Sequence, residues 1–352
     1  WISIAVVYRQ SKVSMLDCTQ FGAAALFSKP AGGTGLLNDR PPVVFRANVT
    51  APGSDSPLTV RVVANHLRSF DSVDAPGDSG DFPRTKRNEE AKYLAKLISG
   101  NLAGEQTSNW NATDNLVVTG DFNAYEFNDG YVDSLNCIAG VPGPANQQYF
   151  SAAESAVSPA CTSILSPPLT NLTAADPAQR YSYTYSGAAQ RIDHILVNSR
   201  MNPRVRQFAY ARNNADFPEG PTYRNNFNRP ERVSDHDMPI AYLKLPVEVT
   251  SRTRLNASAL GLNRFTGRYN GTISVTNTGA AALTGPIYVF FANLPAGVTL
   301  PDLPTFNGVP YATINAGAGL APGATSGTVA ISFADPSNAR IGYTTQRFDG
   351  NF

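Results

Sequence analysis

The sequence predicts an α/β domain followed by an all-β one. The first is a mixed or antiparallel two-sheet sandwich with helices outside. Three observations carry this. Up to Leu245, strand-like apolar runs surround one long helical stretch. Four of those runs carry a polar residue at one end. Beyond Pro246 there is no histidine or cysteine, and short strands rich in Thr, Val, Ile and Gly take over. The expected domains are therefore residues 1–246 and 247–352.

At 352 residues the length prior is about two domains, and an apolar share of 42% supplies a core. A formal net charge of +1 excludes a global basic field that would draw the chain to nucleic acid or an anionic membrane. Any phosphate site must be built locally. No apolar run approaches the ~20 residues of a membrane span.

Taken in order, Ile2-Ser3-Ile4-Ala5-Val6-Val7-Tyr8 reads as a strand. No signal peptide precedes it, and an opening without a turn or cap points to sequence upstream. Lys12 to Leu16 reads as a second strand. Pro42 to Val49 and Leu58 to Ala64 form a hairpin around the turn Pro52 to Pro57, and the return strand ends in Asn65-His66. A polar loop from Asp71 to Pro83 precedes a helix from Thr85 to Ser99. Ala91, Leu94, Ala95 and Ile98 lie on one face of that helix, and Gly100 stops it.

Leu116 to Thr119 is a strand running into Gly120-Asp121-Phe122-Asn123. Cys137 and Cys161 flank a Pro/Ala/Ser-rich loop, and pairing across it fits an oxidising compartment. Cys18 is either a buried thiol or one whose partner lies upstream. Tyr181 to Tyr185 alternates as a strand, and Arg191 to Val197 is apolar on both faces. A loop with Arg212, Arg224, Arg229 and Arg232 leads to Ser234-Asp235-His236-Asp237 and a last strand, Pro239 to Leu245. Gly271 to Thr276, Ile287 to Phe291 and Thr328 to Phe333 then suit a sandwich of the immunoglobulin type.

His66 and Asp121 stand at the C-terminal ends of their strands, whereas Asp193 and the Asp235-His236 pair stand at the N-terminal starts of theirs. They share one sheet edge only if the two kinds of strand run in opposite directions, which excludes an all-parallel doubly wound sheet. Each group has a plainer reading. His66 is a satisfied structural histidine, Asp193 a carboxylate capping a loop, Asp121-Asn123 an Asx-turn and Asp235-His236-Asp237 a solvated loop. Yet a buried Asp193 needs a partner, and His236 supplies the carboxylate–imidazole pairing of general-base catalysis. Alternation turns His194 to the opposite face, as a structural residue.

Asn65-His66-Leu67-Arg68-Ser69, Gly120-Asp121-Phe122-Asn123-Ala124, Arg191-Ile192-Asp193-His194 and Ser234-Asp235-His236-Asp237 resemble, in order and spacing, the signatures of the endonuclease/exonuclease/phosphatase superfamily. Deoxyribonuclease-I-like enzymes and exonuclease III belong to it, and the nearest look is to bacterial secreted nucleases. The resemblance covers roughly residues 1 to 245. It implies a secreted, extracellular hydrolase that cleaves phosphodiesters of DNA or RNA by water attack on phosphorus. The implied cofactor is Mg²⁺ or Mn²⁺, with Ca²⁺ as a further alternative.

By the same resemblance, His236 is the base or charge-stabilising histidine and is held by Asp193. Asp121 orients the water or a second cation, and Asn123 holds the nucleophile or a phosphate oxygen. His66 stabilises the phosphorane or the leaving oxygen. Asp235 and Asp121 contribute to the metal, and Arg9 and Asn65 approach the substrate phosphate.

The family also has an earlier strand with an asparagine and a metal-binding glutamate. Glu89, Glu90 and Glu105 come too late in the chain to supply it. The expectation is a domain lacking its N-terminal third, as a partial record, as a product still bound to that missing portion, or as a descendant without catalysis. Two other functions stay open. One is a phospholipid or sugar-phosphate phosphoesterase. The other is a non-catalytic extracellular binding or structural protein, whose C-terminal sandwich mediates assembly or surface attachment.

Overall fold

The computed structural model describes residues 3–100, 102, 114–144, 160–218, 220, 226, 228–314, 319–337, 339–350 and 352. Glu105 and Arg224 lie outside them. The chain forms two compact units. One comprises residues up to Asn48 and Thr59–Leu243, and the other Val49–Leu58 and Lys244–Phe352.

In chain order the first unit carries β1 (Val13–Gln20), β2 (Leu26–Ser28), β3 (Thr34–Leu36), β4 (Val43–Val49), β5 (Leu58–His66), α1 (Asp78–Ser99), β6 (Asn115–Asp121) and α2 (Ser134–Ala139). It continues with β7 (Thr170–Asn171), β8 (Tyr183–Tyr185), β9 (Ala188–Gln190), β10 (Asp193–Val197), β11 (Val205–Tyr210) and β12 (Pro239–Leu243). Its main sheet has the order β1-β4-β5-β6-β10-β7, and the pairs β2–β3, β8–β9 and β11–β12 form two-stranded ladders. β5 and β6 run parallel, while β10 is antiparallel to β6. The fold is thus α/β with several sheets, and the main sheet is mixed.

α1 packs its apolar stripe on this sheet. Ala91, Leu94, Leu97 and Ile98 join Val63, Val118, Phe122 and Leu196 in one core. The helix ends as expected at Gly100, in the left-handed region at φ 73°. It starts at Asp78, ahead of the expected Thr85. The first turn is polar and shows no apolar period, but Asp78 and Asp81 suit the positive end of the helix dipole. Pro83 is accommodated within the helix.

The expected opening strand is absent over the described Ser3–Arg9. Ile4, Val6 and Tyr8 alternate as half-buried positions, and the Tyr8 ring lies 5.3 Å from that of Phe45. Alternation alone makes an extended segment, and a strand also needs a ladder partner. Cys18 is exposed on β1 rather than buried.

The second unit carries β13 (Thr253–Ala257), β14 (Gly261–Asn263), β15 (Arg268–Asn277), β16 (Ile287–Ala292), β17 (Thr305–Phe306), β18 (Val309–Ile314), β19 (Val329–Ala334) and β20 (Thr344–Asp349). One sheet has the order β13-β15-β14 with β19 also on β15, and the other has the order β17-β18-β16-β20. Alternate residues of both, including Ile273, Val275, Ile287, Val289, Phe291, Ile331 and Phe333, make a common core. The turn Val49–Leu58 is part of this unit. There the Asp55 N–H donates to Glu248 O at 2.8 Å, and the Asp55 carboxylate accepts from Ser251 N–H at 2.6 Å.

Candidate active site

Three strand ends meet at one edge of the main sheet. In the parallel β5–β6 ladder His66 is the partner of Asp121, and in the antiparallel β6–β10 ladder Asp121 is the partner of Asp193. Opposed strand directions thus bring a C-terminal aspartate and an N-terminal one side by side. Gly120 makes the approach possible. Its φ is 143°, and a Cβ there would stand 1.9 Å from the Asn65 carbonyl oxygen.

His236 joins from the loop before β12. Its Nδ1–H donates to Asp193 Oδ2 at 2.7 Å, and its ring stacks on Tyr183 with centroids 4.5 Å apart. His66 Nε2 lies 3.3 Å from Asp121 Oδ2.

Burial and charge set the protonation states. Burial, then the charge of Asp193, pushes the Asp121 carboxyl up to about 7. Burial, followed by the nearby Arg40 and His236, lowers His66 to about 4. The His66–Asp121 contact is therefore not an ion pair at neutral pH, because the imidazole is uncharged. For His236 burial also opposes the charged form. It is outweighed by the bond to Asp193 and by the charges of Asp193, Asp121 and Asp235, which lift the group to about 9. At neutral pH the cluster holds a charged His236 close to Asp193 and to an Asp121 carboxyl that is about half protonated.

Several residues to which the sequence assigns no role in the site, or only a solvated loop, hold this arrangement. Asp237 is fully buried. It pairs with Arg212 Nη1 at 2.9 Å and accepts backbone N–H bonds from Asn213, Asn214 and Ala215. It anchors the His236 loop rather than facing solvent. Ser182 Oγ accepts from the N–H groups of Ile192 and Asp193, and its carbonyl accepts from Asp237 N–H.

Arg87 of α1 donates to the carbonyls of Arg68 and Asn123 and pairs with Asp129. Glu90 accepts the Arg68 N–H at 2.8 Å. Arg40 donates to the carbonyls of His66 and Leu67. None of these pairs is local in sequence, so no motif advertises them.

The remaining expected site residues divide. Asn123, at φ 44°, donates its backbone N–H and its amide to Asp121 and also bonds Leu67 O. It orients Asp121. Asn65 is buried and its amide donates to Thr119 O at 3.0 Å. As the strand neighbour of His66 it faces the other side of the sheet, so the structure does not bring it to the cluster.

Arg9 is exposed, and its carbonyl closes a turn with Lys12 and Val13. Asp235 is exposed and acts on the histidines by charge. His194 is fully buried. Its Nε2–H donates to Ala124 O at 2.9 Å, and burial lowers it to about 4, in keeping with a structural residue. Cys137 and Cys161 form a disulfide.

One ligand atom from each of Asp121, Asp193 and His236 lies within 4.8 Å of the others. The donor set fits a hard cation. Two carboxylates face each other, and Asp121 binds a proton up to about 7 where such a charge would replace it. His236 Nδ1 is already engaged by Asp193, which leaves the two aspartates as the donors. Asp235 lies outside this triple.

Among the described residues no helix is long and apolar enough to cross a membrane. No family model and no curated protein matches the chain. Solved structures do. An endonuclease/exonuclease/phosphatase family protein from Bacteroides thetaiotaomicron aligns at 14% identity and TM-score 0.30 over 58% of this chain and 56% of its own. The chain thus spans little more than half the length of that relative.

A 3'-5' exonuclease from Neisseria meningitidis aligns at 17% identity and TM-score 0.33, covering 65% of this chain and 71% of its own. A mannosyl-6-phosphatase from Bacteroides thetaiotaomicron aligns at 14% and 0.34, covering 68% of each. An endonuclease/exonuclease/phosphatase from Bacteroides vulgatus aligns at 15% identity and TM-score 0.33, covering 68% of each chain.

Proposed function

We propose that this chain is a metal-assisted phosphoester hydrolase and, more finely, a secreted nuclease that cleaves phosphodiester bonds of DNA or RNA. One observation supports it above the rest: the ladder register that sets Asp121 beside Asp193, with His236 bonded to the latter. Asp121 and Asp193 would hold the cation, Mg²⁺ or Mn²⁺. Bound there, it supplies Lewis-acid polarisation of a phosphoryl oxygen.

Asp121, fixed by two bonds from Asn123, orients the attacking water. His236, kept charged by Asp193, stabilises the negative charge that develops on the phosphoryl oxygens. The neutral His66 sits beside Asp121 to meet the leaving oxygen. The Cys137–Cys161 disulfide supports an oxidising, extracellular setting. We read residues 247–352 as an immunoglobulin-like attachment module, supported by the two sheets around one core.

The test is turnover of bis(4-nitrophenyl) phosphate, plasmid DNA and RNA in Mg²⁺ or Mn²⁺. Turnover is expected for the parent and lost in Asp121→Asn and His236→Ala. A parent protein inert on all three, or variants as active as the parent, would overturn the reading.

A further inference from the structure

A cavity of about 590 Å³ adjoins the cluster in the same unit, within the size range of small-ligand sites. It touches the chemistry at two points. Asn123, which orients Asp121, is in its lining, and so is Tyr183, which stacks on His236. Nothing in the mechanism above uses the rest of it.

Phe70, Tyr125, Tyr131, Tyr183 and Tyr185 line it, and four of them belong to two runs of stacked rings. In one, Phe70 stacks on Tyr125 with centroids 5.0 Å apart and planes 22° apart, and Tyr125 continues beyond the lining onto Phe127 at 5.1 Å and 13°. In the other, Tyr185 stacks on Tyr183 at 6.3 Å and 18°, and Tyr183 continues beyond the lining onto His236. Such a run is extended by another flat ring in offset stacking at its open end, which in the second run is the exposed Tyr185.

The charged lining is of one sign. Asp71, Asp74 and Asp129 contribute carboxylates beside the neutral Ser69, Ser72, Asn123 and Gln190, and among the described residues no lysine or arginine lines the cavity. The nearby guanidiniums stand on aromatic rings and are held there: Arg87 over Phe70 and paired with Asp129, Arg84 over Tyr131 and paired with Asp81. A phosphodiester backbone needs cations along its track, so it has no place in this cavity. A neutral planar ring with N–H donors on its edge does, through its faces on the aromatic walls and its edge on the carboxylates.

We propose that this cavity is a subsite for one unpaired nucleobase flanking the scissile phosphate. The inference rests on the nuclease reading and narrows it. A base can enter only after leaving its own stack, so the substrate is a single strand, and a duplex is excluded unless it is locally opened. Specificity then comes from stacking and a carboxylate edge, with the backbone held only at the metal cluster.

Two measurements test it. First, adenosine and guanosine are titrated against the metal-free protein by NMR, with glucose and mannose as sugar controls. Shifts confined to the residues around Tyr125 and Tyr185 are expected for the nucleosides, and Tyr185→Leu should weaken them roughly ten-fold, the effect of one lost aromatic stack. Shifts from the sugars alone, or from none of the four, would overturn the subsite.

Second, turnover is compared on a single strand, its duplex and the same strand carrying abasic positions. The intact single strand is expected to have the lowest KM, and Tyr125→Leu or Tyr185→Leu should narrow its advantage over the abasic strand roughly ten-fold. Equal turnover of duplex and single strand, or an advantage untouched by either variant, counts against the proposal. Nucleoside binding without cleavage of any strand would instead defeat the nuclease reading and leave the ring subsite standing.

Discussion

Asp121 and Asp193 are Cα partners across the antiparallel β6–β10 ladder, two carboxylates held at one sheet edge with a single charged imidazole between them and neutrality. The Asp121 proton is retained up to about 7 because of burial and the charge of Asp193. Asp193→Asn should therefore lower the Asp121 midpoint in a carboxyl NMR titration of the metal-free protein. Calorimetry should show Mn²⁺ binding weakened at least about ten-fold, since one of two anionic donors is lost. An unchanged midpoint would remove Asp193 from the cluster.

The chain has only three histidines, so each can be followed by NMR. His66 and His194 are expected to stay neutral down to about 4, and His236 to lose its proton at about 9. The signs differ accordingly. Stability contributed by His236 is present below its ordinary 6.5 and is lost as pH rises through about 9. Stability contributed by the two depressed histidines is present above 6.5 and is lost as pH falls through about 4. Asp193→Asn should return His236 towards 6.5, and three midpoints near 6.5 in the parent would contradict the geometry.

Arg40 is joined to the His66 and Leu67 carbonyls and helps keep His66 neutral. Arg40→Met is expected to cost about 2 kcal/mol of stability through these charge-assisted bonds and to move the His66 midpoint upward. Arg40→Lys should preserve the midpoint better than the stability. Denaturant unfolding and the NMR titration together separate the two effects.

Glu90 is buried under the Arg68 N–H, and burial lifts it to about 7. Its contribution to stability is present below the ordinary 4.5 and is lost as pH rises through about 7. Glu90→Gln keeps the acceptor and removes the charge. The variant should match the parent at pH 4 and exceed it at pH 8 by up to about 3 kcal/mol. A gain independent of pH would show that the carboxyl is not the cause.

The disulfide closes a separation of 24 residues between two buried sulfurs. In the chain-entropy view, Cys137→Ser with Cys161→Ser should destabilise the protein by about 3 kcal/mol. Thermal melts with and without reductant should show the same difference in the parent and none in the double variant.

Much of the site was legible because a polar residue at the end of an apolar run is a local pattern. His66, Asp121 and Asp193 carry that pattern, and their positions on opposite ends of their strands require those strands to oppose. The helix face of Ala91, Leu94, Ala95 and Ile98 is likewise a local period. Where the local signal is incomplete, the structure departs from the expectation. Ile4 to Tyr8 alternates without acquiring a ladder, and the polar first turn of α1 looks like loop. Asn65 carried a motif position, although alternation turns it away from His66.

The sequence by itself determined which residues are able to do chemistry and the strand ends on which they stand, because those follow from side-chain type and short-range periodicity. The tertiary structure alone decided the register that pairs His66, Asp121 and Asp193, the anchoring of His236 through Asp237 and Ser182, and the charge each group carries. The physical reason is that desolvation and Coulomb interaction depend on burial and on distances between residues far apart in the chain, and no local pattern encodes either.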